Sequence, residues 1–403
     1  MIINPAGQDY YKKQVELAKI CGVSEGTISN WINKAKDSKN LLQLIEIKDR
    51  FYIAKNEHNI SELKKLTEEA TNYQNIVYKD IYPKEELYDT LSESQTISLI
   101  NSLKTKGTAP CKFVFMGNGA IKWDKLYSKI HNSDNYGSPT KRYLFEKTIN
   151  FFEEYISKFD SVIITDLGCG NFKPAKPLLE KIEKSGKLDK YICIDISKDM
   201  IEIAKTEFSK DFDENKFVGH VLDLELHSTE EALLKQKNNA KKSVNILLMF
   251  GGTIGNIENQ VKVFNHIKDG MHPEDLLMIA NAYDEIDRRT VFPAFDFEEG
   301  FAHVSHAACM LNIDKGVSIV EKIYNSNTTA REVNLIIKEN IKINFTRYND
   351  SINIKSGESI NIWKHKRDTF ELVSNKIRES DMELQFIVKH PTEAQMLYVA
   401  RLA

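Results

Sequence analysis

The sequence predicts an α/β fold: a mostly parallel, doubly wound sheet closed by a C-terminal antiparallel hairpin, with a small all-helical or winged module in front of it. Three observations predict this. Short apolar runs ending in a carboxylate alternate with helical patterns from Ser161 onward, as buried parallel strands with crossover helices do. Gly168-Cys-Gly170 stands between the first such run and its helix, where a nucleotide-binding turn belongs. Two short amphipathic segments meet at Gly22 near the N-terminus.

From Gln14 to Asn33, Leu17, Ala18 and Cys21 share one helical face and Gly22 follows where that helix ends. Ser24 is placed to cap a second helix whose buried face carries Ile28, Trp31 and Ile32. The pattern resembles the helix-turn-helix modules of bacterial regulators and phage proteins. Its short polar positions Ser24, Thr27, Ser29 and Asn30 are then candidates for contact with DNA. A structural helical hairpin that touches no DNA is the alternative. Phe51-Tyr-Ile and His58–Leu66 predict a strand and a helix that close the module near residue 70. DNA contact would call for a homodimer, because one such module buries little surface.

Residues 71–135 read as a connector and cap. Ser92–Lys104 looks helical, Lys112–Met116 looks like a strand, Gly117-Asn-Gly is a turn, and Asp124–His131 looks helical again. The stretch from His131 to Pro139 is turn chemistry that marks a boundary.

Residues 136–403 carry the sheet. Val162–Asp166 is the first strand, and a helix with prolines in its first turn follows from Lys173. Tyr191–Asp195 is the second strand, its acid 25 positions after Gly170 (195 − 170). Ser197 caps the next helix. Phe217–Asp223, Val244–Phe250 and Asp275–Ala280 continue the series, and Met382–Val388 with Gln395–Arg401 forms the hairpin. Asp166-x-Gly-x-Gly170 lacks the third glycine of a dinucleotide fingerprint, and the lysines after it do not make a P-loop. The ligand is therefore an adenosine without phosphates to seat, and S-adenosyl-L-methionine fits. Asp195 would take its ribose hydroxyls, and Asp223 its adenine amine.

Asp166-Leu-Gly-Cys-Gly170, Asp195-Ile196-Ser, Asp223-Leu224-Glu and Phe250-Gly251-Gly-Thr-Ile-Gly-Asn256 resemble the histidine-specific S-adenosylmethionine-dependent methyltransferases of ergothioneine biosynthesis. The likeness runs from about residue 136 to the end and includes Pro139-Thr-Lys. It implies a Rossmann-like class I methyltransferase fold. It also implies cofactor contacts from Gly168, Lys173, Asp195, Asp223 and Leu224, and an amino-acid contact from Asn256, whose type also suits a helix cap. On the acceptor side the chain departs from the family. The tyrosine that touches the substrate backbone falls on Phe295, and the Glu and Ser that bind imidazole fall on Ile362 and Lys364. Losing both polar partners would remove most discrimination for imidazole, so the expected acceptor is another small molecule, amino acid or peptide, methylated at nitrogen.

No catalytic base stands out. Asp284, Glu285 and Asp287 are candidates, although a solvated acidic loop explains them better. His303-x-x-His306 lacks the further ligands of a metal centre, and Cys169 reads as filler within the turn. A regulator that senses S-adenosylmethionine stays open as a second reading. A nucleic-acid methyltransferase is a third, against which stands the lack of an Asn/Asp-Pro-Pro-aromatic motif or a Pro-Cys dipeptide. The formal charge of −3 implies no polyanionic partner for the whole chain, although lysines enrich its first forty residues. Five scattered cysteines and no apolar run of about 20 residues suit a cytoplasmic protein without a membrane span.

Overall fold

The computed structural model describes Lys65 and residues 78–130, 139–234, 242–290, 292 and 298–403. The expected helix-turn-helix with Ser24, Thr27, Ser29 and Asn30 lies outside the described residues, as do Phe295 and the turn at 131–138. The chain divides into two compact units, Met1–Lys79 and Asp80–Ala403.

In the second unit α1 (Glu85–Thr90), α2 (Glu93–Lys106), α3 (Asn118–Ile130) and α4 (Pro139–Ser157) precede the main sheet. The sheet is then built from β1 (Ser161–Leu167), α5 (Lys176–Lys184), β2 (Leu188–Asp195), α6 (Lys198–Phe208), β3 (Phe217–Val221), α7 (Glu230–Leu234), β4 (Ser243–Met249), α8 (Thr253–Asn256), α9 (Gln260–Lys268) and β5 (Leu276–Ala282). Next come α10 (Glu298–Val304), α11 (His306–Met310), β6 (Ser318–Asn325), β7 (Ala330–Ile337), β8 (Ile341–Phe345), β9 (Asp350–Ile354) and β10 (Ser359–Lys366). The chain closes with α12 (Phe370–Glu379), β11 (Met382–Lys389) and β12 (Gln395–Leu402).

Seven strands pair in the order β11-β12-β5-β4-β1-β2-β3. The five strands from β5 to β3 are parallel, while β12 runs antiparallel to β5 and β11 antiparallel to β12. All seven residues of β1 and of β5 are buried, because helices cover both faces of the sheet. The two faces follow the period of two. Val162 and Ile164 pack with α4, α5 and α6, while Ile163 and Leu167 pack with α9 and α12. The strand order reverses at β1, flanked by β2 and β4, and ligands of such sheets bind beyond the carboxyl ends at that reversal. Pro177 sits in the first turn of α5, and Ser197 caps α6 by accepting from the Met200 N–H at 3.3 Å.

A second core lies beside the sheet. The strands β10-β7-β6 form one antiparallel sheet, and β8 and β9 form another with Lys79–Ile81 at its edge. Leu87 and Leu99 from α1 and α2, Phe113, Met310 of α11, and Val333, Phe345 and Ile362 of the strands share one hydrophobic cluster. The stretch 80–130 is thus packed into this core. Lys112–Met116 is not the strand that its apolar run suggests. Cys111–Phe115 forms a 3-10 turn after Pro110, whose φ of −54° starts the turn, and it sinks Phe113 and Val114 together into the cluster. The helix expected from Asp124 begins earlier, at Asn118.

Ile362 is fully buried in this second core. Ile362→Ala is expected to lower stability by roughly 2–5 kcal/mol through a cavity while leaving adenosyl-ligand affinity unchanged. Chemical denaturation and calorimetry on the same variant check both parts.

Candidate functional site

The turn after β1 is built on left-handed backbone. Gly168 has φ 72° and Gly170 φ 53°, and between them and α5 the non-glycine Phe172 has φ 68°. A Cβ at Gly168 would stand 2.5 Å from the Thr253 hydroxyl, so only glycine lets α8 approach the turn. Thr253 Oγ1 donates to the Gly168 carbonyl at 3.3 Å. Phe172 is buried against Tyr191, Phe208 and Phe212, which holds its strained backbone in place.

Asp195 ends β2 beneath this turn. Its carboxylate accepts from the Ser197 N–H at 2.9 Å and from the Gly170 N–H at 3.3 Å. Burial pushes the acid up to about 6, against the pull of the Ser197, Gly170 and Ile196 N–H groups. Asp166 lies deeper, accepting from the Tyr191 hydroxyl at 2.9 Å, and does not line the cleft above. Lys173 points away to Ser128 Oγ at 2.9 Å. Cys169 meets Cys193 at 2.7 Å between sulfurs, and burial pushes both thiols up, which suits filler and not a nucleophile.

Gly168, Gly170, Asp195, Ile196, Asp223, Leu224, Gly251 and Asn256 line one cleft of about 1230 Å³ of atom-free space, its mouth included. Asp223 accepts from Lys112 Nζ at 2.7 Å, and the same ammonium lies 3.4 Å from Glu225. Asn256 is the last residue of α8 and caps nothing, since Asn259 caps α9. Its Oδ1 is buried without a hydrogen-bond partner.

The other wall comes from distant parts of the chain: Phe115, Trp123 and Tyr127 from the cap, His303 from α10, and Trp363 and His365 from β10. Ile362 belongs to the second core, and Lys364 turns to a neighbouring cleft, 3.5 Å from Glu332. Burial lowers His303 to about 3, so its imidazole is neutral. Its Nδ1 lies 3.2 Å from the Gly119 carbonyl and must donate there, which leaves the lone pair on Nε2. Asp284 is held by Arg289 and the Tyr324 hydroxyl, and neither it, Glu285 nor Asp287 lines the cleft. No group of three or more metal-ligating side chains occurs among the described residues.

Residues 94–402 match the family model described as histidine-specific methyltransferase, SAM-dependent. The chain belongs to that family. It is an S-adenosylmethionine-dependent methyltransferase. None of the curated proteins compared with it matches. Among solved structures it is similar to an S-adenosylmethionine-dependent methyltransferase from Clostridium acetobutylicum at 10% identity, over 70% of this chain and 98% of that one, with a TM-score of 0.36. The PH0226 protein from Pyrococcus horikoshii gives 14%, 69%, 98% and 0.38. Magnesium protoporphyrin IX methyltransferase from Synechocystis gives 10%, 77%, 100% and 0.36.

The residues of this methyltransferase fit an adenosyl cofactor. The close approach of α8 at Gly168 demands a turn without a side chain, and of the acids in the cleft Asp195 has its charge met chiefly by main-chain N–H groups. Lys112, Phe115, Trp123, Trp363 and His365 carry no motif, and His303 stands out only as a discounted metal ligand. The signal for Trp123 was there, an aromatic on the strongly amphipathic helix Asn118–Ile130.

The folded-state value of Asp195, about 6, lies above its ordinary 3.8. The ionised acid therefore costs the fold about 3 kcal/mol above pH 6, a cost relieved as the pH falls. Ribose hydroxyls need the ionised form. Adenosyl-ligand affinity is expected to fall about tenfold per pH unit below 6, and calorimetry between pH 5 and 8 measures it. Asp195→Asn should bind at least tenfold more weakly with a flat pH profile, yet melt at a higher temperature at pH 8. A flat wild-type profile would refute the assignment.

Proposed function

We propose that this methyltransferase acts on a small molecule, amino acid or peptide, at nitrogen, and that histidine is not its acceptor. The observation that carries this reading is the acceptor wall. Trp363 and His365 face the cleft from β10, and the buried, unpartnered Oδ1 of Asn256 lines the same cleft. An unsatisfied buried acceptor costs about 1–3 kcal/mol, and a donor group on the acceptor molecule relieves that cost. With Ile362 in the second core and Lys364 turned to the neighbouring cleft, the two positions expected to bind imidazole offer it no hydrogen bond.

S-adenosylmethionine supplies an electrophilic methyl group when bound. The chain's residues position the reactants, which is where most of the rate of such a displacement arises. Asp195 accepts the ribose hydroxyls beside Ile196, Asp223 and Leu224 hold the adenine, Gly168, Gly170 and Gly251 admit the backbone close to the ligand, and Lys173 fastens the turn to the cap. Phe115, Trp123 and Tyr127 of residues 71–135 exclude water from the cleft. Residues 1–70 act as a DNA-binding module through Ser24, Thr27, Ser29 and Asn30, in a homodimer. The helix-turn-helix pattern of the sequence supports that role.

Methyl-labelled S-adenosylmethionine with a panel of amino acids, amines and short peptides tests the acceptor. Label is expected in a product other than methylated histidine, and Asn256→Ala should cut kcat/KM about tenfold, the worth of one hydrogen bond. Transfer to histidine alone would sink the reading. A gel-shift series with random duplexes tests the N-terminal module: Asn30→Ala should weaken any selected site.

A further inference from the structure

A second cleft adjoins the cofactor cleft and shares Lys112, Glu225, Asn256 and Ile257 with it. It opens on the opposite face of β10, where Lys364 and Lys366 alternate with the cleft-facing Trp363 and His365. A third cleft continues from it through Lys112, Glu225, Glu258 and Lys366. Six lysines line these two outer clefts against three glutamates.

Most of the lysines are answered. Lys106 pairs with Glu258 at 2.8 Å, Lys364 approaches Glu332 at 3.5 Å, and Lys376 pairs with Asp368 at 2.8 Å. Lys366 differs. Its ammonium donates to the Glu258 main-chain carbonyl at 2.5 Å and makes no ion pair among the described residues. It is partly buried, and burial together with Lys376 and Lys364 lowers its affinity for a proton against the opposing pull of Asp368 and Glu258. A cation that burial and two like charges disfavour is stabilised by an anion seated among them.

We propose that the acceptor spans both clefts and carries a carboxylate or phosphate group that seats on Lys366 and Lys364. Asn256 is the waist of this path: it lines both clefts, and its free Oδ1 takes a hydrogen bond from an N–H or O–H of the acceptor. The acceptor class is thus a small molecule with a nucleophilic nitrogen at one end and an acid at the other. This inference rests on the acceptor reading proposed above.

The full chain, with and without S-adenosylhomocysteine, is titrated by calorimetry with glutarate in one arm and inorganic phosphate in the other. Saturable 1:1 binding is expected for at least one anion, and the preferred arm names the acid. Lys366→Gln and Lys364→Gln should each weaken that binding about tenfold (about 1.4 kcal/mol). Lys181→Gln, a change at an exposed lysine of α5 paired with Glu153, should leave it unchanged. No saturable binding of either anion, or equal binding by Lys366→Gln, overturns the proposal. Loss of S-adenosylhomocysteine binding alone would count against the cofactor cleft and not against the lysine cleft, because the anion titration of the unliganded chain is read separately.

Discussion

The site depends on one buried carboxylate. Asp195 sits at the end of a central strand, under a turn that has no cation to offer it, and its charge is met by the N–H groups of Gly170, Ile196 and Ser197. Ile196 and Ser197 follow the strand itself, and the Gly170 donor comes from a turn after β1 with left-handed backbone at Gly168, Gly170 and Phe172. The turn, the N-terminus of α6 and the strand end are therefore one unit. Moving any of them leaves either an unpaired buried acid or strained backbone with nothing to hold it.

The cap is fastened to the same turn. Asn171 donates to Asp124 at 2.8 Å and Lys173 to Ser128 at 2.9 Å, both on α3. The indole nitrogen of Trp123 lies 3.5 Å from where a Cβ on Gly170 would stand. Helix α3 thus closes the cleft by contacts with the segment that would hold the cofactor. The second core behind it, from Leu87 through Phe345, takes in Phe113 together with Val304 of α10, and beside it Trp123, Phe115 and His303 meet edge-on and tilted with centroids 4.9–5.7 Å apart.

What could be read from the sequence was what chemistry keeps local. Glycines within three positions of each other, acids closing the first apolar runs and a serine at a helix start announce themselves, and with the later apolar runs they outline the parallel core. Residues brought in by tertiary packing did not. Lys112–Met116 reads as the apolar run of a strand, but Pro110 and the burial of Phe113 and Val114 together make it a 3-10 turn. On β10, a bulge between Asn361 and Trp363 lies within the segment. Parity there decides everything, since a slip of one residue exchanges the faces. Ile362 serves the core, while Trp363 and His365 face the cleft. The second glycine of Gly-Thr-Ile-Gly-Asn256 also finds its reason only in three dimensions. A Cβ on Gly255 would stand 2.4 Å from the His365 ring.

Two acids of the cleft, alike in sequence position at the end of a strand, have opposite surroundings. Asp195 faces main-chain dipoles, whereas Asp223 faces Lys112, an ammonium delivered by the cap and shared with Glu225. The first arrangement is internal to the nucleotide fold and exists whether or not the cap is closed. The second exists only while Cys111–Phe115 is packed into the second core, because Lys112 stands in that turn between Cys111 and Phe113, both buried in the cluster. Lys112 also lines all three clefts. One lysine therefore ties the charge balance at Asp223 to the packing of the cap and to the charge of the outer groove.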